Sequence, residues 1–299
     1  MPSHRSRAPS KSSVATTVRT VDDVFESLSQ YESKNGEASY NETVRYVKGL
    51  CKGNEQLCKD SIDTVSSPSM HFAPIVAHSS ALLQSMFETG AILGGYQATA
   101  FFCPIVTPSS AAWEFFVSKP SSFRFTRDIA VYTSLEKVEE MSSDTGLFAA
   151  HYRGYSHGTK DPINVKVYVC DGDPRECILS YRSSLQQSFV SPSCAVCFWP
   201  GLTEKYMFRY FKDNEGTTMY PTGSAVCRTV MQPVKRVSPR AQSIRIYTPS
   251  DKHIQVVTFP NEVRDPRNEL KSNVEWCTNI VFAAGIHSTR ILGSVGGLR

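Results

Sequence analysis

From about residue 70 onward the apolar residues of this chain switch repeatedly between two periods, and that switching is the strongest constraint on its fold. A strand buries alternate residues; a helix buries every third or fourth. A chain that changes between them builds a sheet with helices laid on it. The segment "HFAPIVAH" (71–78) reads as extended, and "SSALLQSMFE" (79–88) as a helix capped by Ser79 or Ser80. "GAILGGY" (90–96) reads as a strand ending in a turn. "FRFTRDIAVYT" (123–133) reads as a strand, rich in aromatic and β-branched residues. "SLEKVEEMSS" (134–143) reads as a helix capped by Ser134. "INVKVYVC" (163–170) alternates as a strand, "DGDP" (171–174) is a turn, and "ECILSY" (176–181) is a strand. "SSLQQSFV" (183–190) reads as a helix and "CAVCFWP" (194–200) as a strand stopped by Pro200. Residues 211–240 are loop-like, and 243–259 read as a hairpin around "PSDK". Periodicity leaves "VEWCTNIVFAAGI" (274–286) open between strand and helix.

A helical region precedes this domain, over residues 20–66. Val21, Val24, Phe25 and Leu28 recur at helical spacing, as do Val44, Val47 and Leu50, with Gly53 as a stop. "NEQLCKDSIDTV" (54–65) is a third, short helix. The expected fold is therefore α/β (α+β): a mixed sheet with packed helices over residues 70–299, preceded by a small helical layer. Residues 90–95, 125–132 and 163–170 are expected to be neighbouring strands of one sheet.

Charge is unevenly placed. The net charge is +4, and Arg5, Arg7, Lys11 and Arg19 all precede the first acid, Asp22. The rest of the chain is neutral. Residues 1–19 are expected to be a disordered basic tail. A solvated tail is the simpler reading, and contact with nucleic acid through it is the alternative. No stretch is apolar enough to span a bilayer. The start has no apolar core and is not a secretory signal. With nine cysteines and no such signal, a cytoplasmic or nuclear protein with reduced thiols is expected. Cys194 and Cys197 form one C-x-x-C, but no second ligand pair follows, so both read as core residues.

Two segments are alike: "IVAHSSALLQS" (75–85) and "ILSYRSSLQQS" (178–188) share five residues at a fixed offset. An ancient duplication and the ordinary recurrence of a capped helix both account for this.

The run "GAILGGYQATAFF" (90–102), followed by "TRDIAVYTS", "INVKVYVC" and "ILSYRSSLQQSFVSPSCAVCFWPGLTEKY", resembles the nucleotidyltransferase fold. More narrowly, it resembles the uncharacterised nucleotidyltransferase-like proteins of fungi. The resemblance covers about residues 75–210. It implies that Gly94 and Gly95, with Tyr96, form the nucleotide-binding turn, and that Asp128 is the catalytic, metal-binding acid, with Mg²⁺ as cofactor if the site is active. The departures imply that it is not. Ala130 stands at the second acid position, Tyr96 replaces a small hydroxyl residue, and "VKVY" (165–168) carries no acid. One carboxylate cannot neutralise a triphosphate or hold a metal pair. The expected function is binding by a catalytically inactive relative, of a protein or nucleic acid. The alternatives are an active enzyme that supplements Asp128 with Asp171, Asp173 or a distant acid, and a structural or coat-like assembly protein.

Overall fold

A computed structural model gives the fold. It describes residues 18–108, 110–133, 135–142, 148–157, 159–212, 228–233, 253–259, 271–273, 275–276 and 290–292. Most of the expected basic tail, the first arm of the 243–259 hairpin and most of 274–286 lie outside these residues.

The three N-terminal helices form as expected, because the local chemistry specifies them. Helix α1 spans Val21–Asn35, α2 spans Tyr40–Leu50 and α3 spans Glu55–Val65. Thr20 and Ser39 each start a capping box, with Asp23 and Glu42 as the reciprocal acids. Asn54 caps α3. Val24, Val47, Cys51 and Leu57 close a small core between them. This layer is fastened to the body at the start of α2. The Tyr40 amide donates to the Phe102 carbonyl at 2.7 Å, and Gln255 Nε2 donates to Asn41 Oδ1 at 2.9 Å.

The body follows in sequence order. Helix α4 is Pro68–Phe72, α5 is Ser79–Thr89, strand β1 is Ile92–Gly94 and α6 is Gly95–Ala100. Then come β2 (Trp113–Ser118), α7 (Ser122–Tyr132), β3 (Glu136–Ser142), β4 (Phe148–Tyr155) and β5 (Pro162–Cys170). Helix α8 (Pro174–Leu179) leads to β6 (Ser188–Val190), β7 (Cys194–Cys197) and α9 (Pro200–Thr203). The remaining strands are β8 (Met207–Lys212), β9 (Arg228–Pro233), β10 (His253–Thr258) and β11 (Arg290–Leu292). Among the described residues nine strands make one mixed sheet in the order β11-β10-β7-β6-β1-β2-β5-β4-β3, and β8 pairs with β9 apart from it. Strand β2 runs parallel to β5 and antiparallel to β1.

Alternation divides the core into two layers. Leu93, Phe115, Val117, Val165 and Val167 face one side, against Leu82, Leu83 and Met86 of α5 and Phe125 and Ile129 of α7. Ile92, Phe116, Val196 and Ile254 face the other, against Cys177, Ile178 and Leu179 of α8. Each strand residue therefore belongs to one chemical environment, set by its parity.

Several expectations are corrected. Residues 122–132 are helix α7, not a strand. Phe123, Phe125, Ile129 and Val131 fit period two, but Phe125, Asp128 and Ile129 also fit helical spacing and are the buried ones, while Phe123 and Val131 are exposed. Packing against α5 decides between the periods. The sheet neighbour between β1 and β5 is β2 instead. The segment 134–143 gives edge strand β3, not a helix, because β4 offers it a ladder from Glu136 to Ser142. Its charged side chains suit an edge. Residues 176–181 are not a strand: Asp173 caps α8, accepting from the Arg175 amide at 2.9 Å, with Pro174 in its first turn. Residues 183–190 are a single 3-10 turn, Ser184–Gln186, followed by β6. Residues 71–78 are not extended: they hold the end of α4 and turns. The two similar segments thus differ in structure, and the duplication has no counterpart in the fold.

Candidate functional site

The Gly94–Gly95 turn lies where β1 gives way to α6, near the middle of the sheet. Gly94 ends the strand with extended backbone, and Gly95 has φ +69°. The left-handed value requires glycine or strains any other residue. Side chains crowd the turn. A Cβ on Gly94 would collide with Ile178 and lie 2.8 Å from Phe116 Cε2, and a Cβ on Gly95 would collide with Glu114 Oε2. The glycines thus make room for the close approach of the protein's own side chains. Tyr96 packs partly buried against Cys103, Val106, Leu185 and Phe208.

The carboxylate that faces the turn is Glu114, which sequence reasoning missed. Strand register puts Glu114 opposite Gly94 on β1 and opposite Lys166 on β5. Its parity sends it to the α8 side of the sheet with Phe116. There Tyr181 Oη donates to Glu114 Oε2 at 2.6 Å and Tyr168 Oη donates to Oε1 at 3.3 Å. Burial raises the Glu114 pKa above the ordinary carboxyl value, opposed by the Tyr181 hydrogen bond, the Lys166 charge and the Tyr168 hydrogen bond. Burial, with the adjacent carboxylate, raises both phenols. The carboxylate thus sits beside the N-terminal residue of α6, where an anion from outside would be drawn. The signal for it was slight: Glu114 is the one charged residue in the otherwise aromatic and apolar run "WEFFVS" (113–118) that follows the Gly-Gly turn.

Asp128 is elsewhere. It lies on α7, on the α5 side of the sheet, whereas Glu114 lies on the α8 side. Its Oδ2 accepts from Ser85 Oγ at 2.8 Å, and its Oδ1 accepts from Arg127 Nη2 at 3.1 Å. Arg124 Nε is 3.9 Å from Oδ2. This buried carboxylate joins α5 to α7. Ala130 is not its partner on a strand face, because there is no strand. Asp171 is exposed and pairs with Lys119 at 3.7 Å; Asp173 caps α8 and pairs with Arg175 at 2.6 Å.

The residues around the turn do not fit Mg²⁺. That ion takes six oxygen ligands, shared among carboxylates, phosphates and water. The residues two positions from Glu114 are Ala112 and Phe116, and on β5 it faces Lys166, its register partner, with Tyr168 beside it. Among the described residues no group of three His, Cys, Asp or Glu side chains is placed to hold a metal ion. All seven described cysteines are free thiols, Cys194 and Cys197 buried in strand β7. No described helix is long and apolar enough to cross a membrane.

No family model, curated protein or solved structure matches this chain.

Proposed function

We propose that the chain is a nucleotidyltransferase-like protein that acts by binding rather than by nucleotidyl transfer. One observation carries this reading: the Gly94–Gly95 turn faces a single carboxylate, Glu114, already engaged by Tyr168 and Tyr181. A triphosphate arriving there meets a buried acid already held by two phenols and, among the described residues, no set of oxygen ligands for the metal that would neutralise it. Side chains of Ile178, Phe116 and Glu114 crowd the two glycines, which leaves little room for a phosphate there. The partner is a protein or a nucleic acid, and the basic residues ahead of Asp22 give the chain its excess positive charge for the latter.

The test follows label from each of the four ribonucleoside triphosphates, with Mg²⁺ or Mn²⁺, into protein, RNA or small acceptors. No incorporation is expected. Incorporation that disappears in Glu114→Ala would overturn the reading and make Glu114 a catalytic acid.

A further inference from the structure

A cavity of about 350 Å³ opens between the helical layer and the body, on the side of the sheet away from Glu114. Its walls include Phe25 and Glu32 of α1, Tyr40 of α2, Met70 and His71 of α4, and Phe101 just after α6. Three features define what it suits.

The first is aromatic surface. Tyr40 and Phe101 lie with ring centroids 5.9 Å apart, and the His71 ring meets Phe101 edge-on at 5.7 Å. Met70 is 54% exposed at the cavity, so apolar surface is left uncovered there. The second is charge. Among the described residues Glu32 is the one acidic side chain lining the cavity, and it forms no ion pair with them. The third is an acceptor. His71 Nε2 lies 2.9 Å from the Gln97 carbonyl. A carbonyl only accepts, so Nε2 carries the proton. Burial lowers the His71 pKa to about 4, against the Gln97 hydrogen bond, so the ring is neutral near pH 7 and Nδ1 is a lone-pair acceptor.

Aromatic walls and one carboxylate without an ion pair among the described residues complement a flat apolar body that carries an ammonium group. We propose that this cavity is a binding site for a small arylalkylamine, its ring among Phe25, Tyr40 and Phe101 and its ammonium at Glu32. An arylalkyl carboxylate is repelled by Glu32. A neutral isostere keeps the ring contacts and forfeits the ion pair. The proposal does not rest on the reading given to the Gly94–Gly95 turn, since Glu32, Phe25, Tyr40 and Phe101 lie outside that turn and on the other side of the sheet.

Calorimetry on the full chain with three probes tests it: phenethylamine, 2-phenylethanol and 3-phenylpropionate. Saturable binding of phenethylamine is expected with Kd below about 1 mM, at least about tenfold tighter than the alcohol, with no binding of the carboxylate. Glu32→Gln should weaken the amine about tenfold and leave the alcohol unchanged. Met70→Trp, a substitution at an exposed position that fills the mouth, should weaken both. Equal affinity for amine and alcohol overturns the proposal. So does amine binding that is unchanged in Glu32→Gln, or the absence of amine binding up to about 10 mM.

Discussion

Gly94 and Glu114 are register partners across the antiparallel pair β1–β2, and the Glu114 carboxylate turns back against Gly95. The turn and the acid therefore form one packed unit. Gly95→Ala should destabilise the protein by about 2–4 kcal/mol, because it combines a left-handed φ with a collision against a carboxylate held by two phenols. Adding Glu114→Ala should recover part of the loss, leaving the backbone strain of about 1 kcal/mol. Thermal unfolding of the two single variants and the double variant measures this. An unchanged melting temperature in Gly95→Ala would show that the turn is not packed in this way.

Glu114 makes stability depend on pH in a defined direction. Its folded pKa is raised above its unfolded value, so the folded state holds the proton more tightly. Its contribution is full below the ordinary carboxyl pKa and is lost as pH rises through the folded value. Denaturant midpoints of the wild type should thus fall across that window, and Glu114→Gln should flatten the fall. A steeper fall in the variant would contradict the assignment.

His71 acts at the acid end. Its pKa falls from 6.5 to about 4 on folding, so unfolding takes up a proton between those values. Stability should decrease as pH drops from about 6.5 to 4, by up to roughly 3 kcal/mol for this group. His71→Gln should remove that slope. Titration of the imidazole by NMR in the folded protein checks the same claim directly, and a value near 6.5 would refute it.

Asp128 should prove structural. Ser85→Ala leaves the buried Asp128 Oδ2 without its hydroxyl donor and should cost about 1–3 kcal/mol. Asp128→Ala should cost at least as much, and neither substitution should alter ligand or partner binding. Loss of binding in Asp128→Ala with the melting temperature unchanged would point the other way.

Deleting residues 1–17 should leave the melting temperature unchanged. Val18 packs on the helical layer, and the Arg19 and Thr20 amides both donate to Asp23 at 2.9 Å, so the first helix keeps its start. If nucleic acid binds, the deletion should abolish salt-sensitive binding, measured by titration at several salt concentrations. An unchanged salt slope would place the basic surface in the body.

The sequence by itself determined the elements whose signals are local. Capping boxes at Thr20 and Ser39 start α1 and α2, Gly90 in a left-handed conformation stops α5, and the strict alternation of residues 163–170 makes β5. The mixed sheet with packed helices followed from the switch in apolar period. Tertiary structure alone decided the segments that fit two periods. Residues 122–132 became a helix because Phe125, Asp128 and Ile129 meet α5, and residues 136–142 became an edge strand because β4 was free to pair. The same decision moved the candidate acid. Asp128 was conspicuous in sequence but lies on a helix on the α5 side of the sheet. Glu114 was hidden in an aromatic run until β1–β2 register brought it to the Gly94–Gly95 turn. A strand's parity and its partner's register set which side chains share a face, and neither is encoded within the strand's own few residues.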